Sequence, residues 1–368
     1  MASVAPASPR ASSWCRCRCC DETSRHTSTG VSPAPLLRAP IALVPVLLFL
    51  VGLVELDAYK LLRLRMVLAM VAAGGSAAGA SYLVNNYAYA HFPGDFEAYA
   101  RYLSPWIEES LKAALIVFLI RTRRVGLAVD AGIAGFAIGT GFALIENLYY
   151  LASRPEAALP VQVIRGFGTA IMHGGTTTVL AMISITLYER RPNGGLQLLL
   201  PGFLAAVAMH SGFNILLGRP ALATFATLLV LPLVIYLVFR RGERTLRNWL
   251  DADLDSNVQL LESINTGTFL DSNAGRYLQS LRERFRGEDL ADMLCCLRLH
   301  GELALRAKGI LLLRESGMDA PPIDAETRDK LAELAQLERA IGKAGMLALR
   351  PLMMATGKDI WQLTLLGR

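Results

Sequence analysis

Long apolar runs recur between residues 36 and 239, and they leave this chain few folds to choose from. A helix rising about 1.5 Å per residue needs about 20 apolar residues to cross the hydrocarbon of a bilayer, where backbone polar groups must bond internally. The runs 36–56, 64–84, 105–120, 125–151, 161–188, 196–217 and 221–239 reach or approach that length. The sequence therefore predicts an all-α fold, a polytopic membrane helix bundle of about seven spans. A chain that is 53% hydrophobic fits this better than it fits an ordinary soluble enzyme. Residues 240–368 are charged and mixed, and predict a C-terminal helical domain outside the bilayer. No internal repeat is evident.

Loop charge sets the expected orientation. Lys60, Arg63 and Arg65, then Arg121, Arg123 and Arg124, then Arg190 and Arg191, then Arg240, Arg241, Arg244 and Arg247 fall on one side. The other side offers Arg101, Arg154, Arg165 and Arg219. The richer side is expected to be cytoplasmic, so the C-terminal domain should be cytosolic. The same bias accounts for the net charge of +6 without invoking nucleic acid. Residues 1–35 are rich in Ser, Pro, Thr and Arg and read as a disordered tail. Cys15, Cys17, Cys19 and Cys20 lie within it but lack paired metal-site spacing.

Beyond residue 240, helical periodicity is expected over 277–285, 290–314 and 325–349, with Pro321-Pro322 as a break. The adjacent Cys295 and Cys296 read as buried, reduced thiols. No catalytic signature occurs here. The region reads as regulatory, or as a docking module for a cytosolic protein partner.

The apolar runs carry ionisable residues, which are costly in hydrocarbon unless paired or wetted. Trp106-Ile-Glu108-Glu109-Ser-Leu-Lys112 heads the third run, and on a helix Lys112 can reach both glutamates. Ser104-Pro105 resembles an N-cap and first-turn proline, which would set the glutamates near a helix N-terminus. The fourth run presents Gly135 and Gly139 on a face open to close helix approach, and then Glu146 and Asn147. In the fifth, Gly174 and Gly175 follow His173 and are expected to leave room beside the imidazole. In the sixth, His210 and Asn214 lie one turn apart. Counted at 1.5 Å per residue, Glu108, Glu146, His173 and His210 all fall ~5–12 Å inside the same, non-cytoplasmic half of the bilayer. They can therefore form one site.

Such a set suits water activation. A carboxylate can act as general base, and imidazoles or asparagines can orient water or stabilise an oxyanion. Alternatively, His173 and His210 with a glutamate could hold Zn2+, although the spacing is not HExxH. Glu108-Glu109-x-x-Lys112, Gly141-Phe142-x-x-x-Glu146-Asn147-x-x-Tyr150, His173 and His210-x-x-x-Asn214 together resemble the PrsW family of intramembrane proteases. That family is related to the CAAX-processing and bacteriocin-processing endopeptidases. The resemblance spans roughly residues 100–217. It implies an intramembrane endopeptidase in a bacterial plasma membrane, with a membrane-protein substrate. By the same resemblance Glu108, Glu109, His173 and His210 are catalytic, supported by Lys112, Glu146, Asn147 and Asn214. The related prenyl endopeptidases carry an arginine one place beyond Lys112, so substrate type does not transfer from them. Two other functions are open: a proton-coupled transporter with these groups as a relay, and a non-enzymatic scaffold acting through residues 240–368.

Overall fold

The structure, a computed structural model, describes residues 35–57, 59–154, 157–191, 194–216, 218–353 and 357–367. The cysteine-rich tail lies outside the described residues. Among those residues every regular element is helical. The N-terminal part comprises α1 (Pro35–Glu55), α2 (Leu64–Ala90), α3 (Phe96–Ala98), α4 (Ser104–Arg121), α5 (Ala128–Ser153), α6 (Leu159–Ile164), α7 (Ala170–Arg190), α8 (Leu200–Leu216) and α9 (Pro220–Asn265). One π turn, Tyr99–Leu103, joins α3 to α4, and another, Arg165–Thr169, joins α6 to α7.

Among the described residues five segments are long and apolar enough to cross a membrane: Leu64–Ala90, Ala128–Ser153, Leu159–Arg190, Leu196–Leu216 and Pro220–Asn265. The other two expected spans fall short for different reasons. The first is described with its side chains only over Ala39–Glu55, an apolar stretch shorter than the five. The third, α4, carries Glu108, Glu109, Lys112 and Arg121 within its 18 residues.

Burial ranks the helices. In α5 and in the segment containing α7, 83% of the most apolar window is buried, against 33% in α2 and 35% in α9. The first two therefore form the centre and the others wrap them. Glycine makes the centre tight. A Cβ on Gly139 would collide with the carbonyl of His173, and one on Gly141 with the carbonyl of Val71. One side of α5 thus meets the α7 backbone and another meets α2, the close approach that small residues permit. The space expected beside His173 is filled, because Gly174 packs on the Phe136 ring and Gly175 on Leu231.

Helix α9 runs unbroken for 46 residues, about 69 Å at the standard rise, past the boundary expected at residue 239. It is followed by α10 (Asn273–Ser280), α11 (Gly287–Glu315), α12 (Ala325–Leu349) and α13 (Gly357–Leu366). Met293, Leu297, Leu303, Leu334 and Leu349 centre a second apolar core. Of the two adjacent thiols, Cys296 is buried but Cys295 is exposed, because neighbours on a helix diverge by about 100° and cannot both face one core. Helix α13 had no counterpart in the sequence reading. Its Trp361 packs over Gly126 beside Tyr59, Leu127, Leu246 and Leu311, and Lys358 Nζ lies 3.4 Å from Glu189 at the end of α7.

Candidate active site

Helix α4 contributes three of the polar residues. Its entry differs from the capped N-terminus read from Ser104-Pro105. The chain is already helical from Phe96, and Ser104 Oγ donates to Glu108 Oε1 at 2.7 Å instead of capping the backbone. Proline has no N–H to donate, and the π turn routes Ser104 N–H to the Tyr99 carbonyl. The Ala100 carbonyl then accepts from Asn214 Nδ2 at 2.9 Å. Asn214 therefore anchors the approach to the glutamates and leaves the site itself to His210.

Glu109 lies at the centre and is fully buried. Its Oε1 accepts from Lys112 Nζ at 2.7 Å, from His210 Nδ1 at 2.9 Å and from Thr176 Oγ1 at 3.3 Å. Its Oε2 is buried with no hydrogen-bond partner among the described residues. With Nδ1–H donated to Glu109, His210 is left with an Nε2 lone pair, which faces Glu108 Oε2 at 3.8 Å. That distance is too long for a hydrogen bond, so both atoms keep their capacity to bind a third group.

Glu146 and His173 form the opposite wall. Glu146 Oε2 is 2.6 Å from His173 Nε2, and its Oε1 accepts from Arg165 Nη2 at 2.8 Å. On its other edge, His173 Nδ1 is 3.0 Å from Lys112 Nζ, whose ammonium also lies over the Phe142 ring. The two imidazoles meet edge to face with centroids 4.9 Å apart. Asn147 turns outward from this wall, accepting from Arg165 Nε at 3.0 Å and donating to the Ala42 carbonyl at 2.9 Å.

The structure thus joins Glu108, Glu109, Lys112, Glu146, His173 and His210 in one network, while Asn147 and Asn214 brace its surroundings. Sequence reasoning missed Ser104, Thr176 and Arg165. Arg165, counted from the sequence among the loop arginines, is turned inward with only 12% of its side chain exposed.

One ligand atom each from Glu108, His173 and His210 can be chosen so that all lie within 4.8 Å of one another. Two imidazoles and a carboxylate are a donor set that hydrolytic zinc sites use. Glu109 behind His210 and Glu146 behind His173 are the carboxylate partners that orient ligating histidines. The residues therefore fit a zinc-type ion. The family model described as PrsW family intramembrane metalloprotease matches residues 63–239, the stretch that contains every one of these side chains. No curated protein and no solved structure matches the chain.

Proposed function

The chain belongs, through residues 63–239, to the PrsW family of intramembrane metalloproteases, and on that premise we propose that it hydrolyses peptide bonds of membrane proteins at the Glu108–Glu109–His173–His210 cluster. The observation that carries this reading is the facing of Glu108 Oε2 and His210 Nε2, both without a hydrogen bond to each other, inside a helical bundle. Glu108 is the carboxylate that meets the water and takes its proton. Glu109 acts one step back, since the bond to Nδ1 fixes the His210 ring and the tautomer it presents. Glu146 does the same for His173. The Lys112 ammonium, held between Glu109 and His173, stabilises negative charge developing on the scissile carbonyl. Were a zinc ion held by Glu108, His173 and His210, it would take the place of Glu108 as the activator, lowering the pKa of a bound water and polarising the carbonyl.

The two short expected spans, α1 and α4, complete a seven-span bundle in this proposal, with the C-terminal helices on the cytosolic side of a bacterial plasma membrane. Removing Arg165 from the sparsely charged loops sharpens the charge asymmetry behind that orientation. The C-terminal helices would serve regulation or docking of a cytosolic protein. The family match favours the protease over the transporter and the scaffold.

The test is cleavage of single-pass membrane proteins co-expressed with the full chain, with products identified by mass spectrometry. Glu108→Gln, His173→Ala and His210→Ala should each abolish the products. Undiminished cleavage in these variants would overturn the assignment.

A further inference from the structure

We propose that Arg165, carried on the π turn Arg165–Thr169, is a positioning residue that fixes the tautomer of His173 through Glu146. The inference rests on the protease reading only for its functional consequence. The geometry stands independently.

Hydrogen-bond chemistry alone constrains the imidazole. Lys112 Nζ can only donate when charged, so His173 Nδ1 must accept from it. An ionised Glu146 can only accept, so Nε2 must carry the proton. Both neighbours demand the neutral ring with hydrogen on Nε2, whose Nδ1 lone pair faces Lys112, Glu109 and His210.

That arrangement depends on where Glu146 points, and Arg165 controls this. Its guanidinium takes Glu146 Oε1 with Nη2 at 2.8 Å and Asn147 Oδ1 with Nε at 3.0 Å. It also lies over the Tyr150 ring, 4.3 Å from the centroid. A planar fork engaged on two adjacent residues of α5 holds the carboxylate plane, which leaves Oε2 directed at His173. A lysine has no such fork.

The π turn is what allows Arg165 and His173 to share one carboxylate. They are eight residues apart, and at 3.6 residues per turn an uninterrupted α-helix would leave them about 80° out of line. The i→i+5 turn, closed by Ala170 N–H on the Arg165 carbonyl, absorbs about one residue, or roughly 100° of rotation. The two side chains then lie on nearly the same face. Asn147 Nδ2 donates to the same Arg165 carbonyl at 3.4 Å. Gly166 lets the turn press against the Ile41 carbonyl of α1, where a Cβ would collide.

The experiment is nitrogen-15 NMR of histidine-labelled full chain in lipid nanodiscs, with the His173 signal assigned by its loss in His173→Gln. Wild type should show protonated Nε2 and an Nδ1 that carries no proton. Arg165→Met should shift the population toward protonated Nδ1, and Arg165→Lys should restore it only in part. Deleting Phe167, which keeps the arginine but removes the extra residue of the turn, should act like Arg165→Met. In the cleavage assay each loss of the Nε2–H form should lower the rate about 10- to 100-fold. An unchanged His173 signal in both Arg165→Met and the Phe167 deletion would overturn the inference, whatever the cleavage result. If the signal shifts as expected while the wild type cleaves nothing, the positioning role stands and the protease reading falls.

Discussion

The intramembrane site and the C-terminal core obey opposite rules within one chain. In the C-terminal core Met293, Leu297 and Leu303 are fully buried, and the ion pairs, such as Lys330 with Glu326 and Arg298 with Glu302, lie at the surface. In the membrane part the large apolar side chains of Leu68, Leu83, Phe225 and Leu229 are exposed, while Glu109, Lys112, His173 and Thr176 are enclosed. Water outside drives apolar groups inward, whereas a lipid exterior removes that drive and leaves packing and internal hydrogen bonds to organise the interior. Polar groups placed there must then satisfy one another, which also holds reactive groups in fixed orientations.

The largest break in this contrast should come from the site. His210→Ala or Glu108→Gln is expected to lower cleavage of a reconstituted reporter by roughly 10²–10⁴-fold with little change in helix content by circular dichroism. In the C-terminal core Leu303→Ala should cost about 2–5 kcal/mol in reversible unfolding in mixed micelles. Phe225→Ala, which removes a larger but exposed side chain from α9, should cost far less. Within the bundle, Gly139→Ala pushes a methyl into the His173 carbonyl and should cost about 1–3 kcal/mol. Gly79→Ala meets nothing within 4 Å among the described residues and should be neutral or slightly stabilising.

Two smaller effects sharpen the chemistry of the C-terminal part. Asp324 caps α12, and hydrogen bonds from the Thr327 hydroxyl and N–H, with Arg306 beside it, hold its carboxyl at about 2. A carboxyl depressed on folding contributes stability above its unfolded value of 3.8 and loses that contribution as pH falls through about 2. Hydrogen exchange at the α12 N-terminus should therefore accelerate over that window in the wild type but not in Asp324→Asn. Burial pushes the Cys296 thiol up to about 12, so a maleimide at pH 8 should label Cys295 and spare Cys296.

Much of the arrangement was legible because hydropathy, motif spacing and rise per residue are local properties. They located the apolar helices, assigned Gly135 and Gly139 to a helix contact, and set Glu108, Glu146, His173 and His210 at a common depth. What the sequence hid are features created by departures from regular helix. Arg165 read as a loop arginine, and only the π turn after it brings it onto nearly the same face as His173. The Ser104-Pro105 pair looked like a cap because the π turn upstream carries no sequence signature distinct from a loop. Thr176 was indistinguishable from Thr177 and Thr178 until α7 met α4. Helix α13 escaped because its ten residues are too few to declare a helix without the surface on which they dock.

The length of α9 bears on how the molecule can be taken apart. A single rod begins among the membrane helices and ends in the C-terminal core, so the chain has no slack segment where it leaves the apolar bundle. Leu246 and Leu250 on that rod pack with Tyr59, Leu127 and Trp361, which come from three other parts of the sequence. A truncation at residue 240 would therefore strip cover from Leu127 and Tyr59 as well as removing the C-terminal helices. The loss of activity it caused would be no evidence that those helices regulate anything. For this protein, point substitution in α13 is a sounder dissection than the scissors.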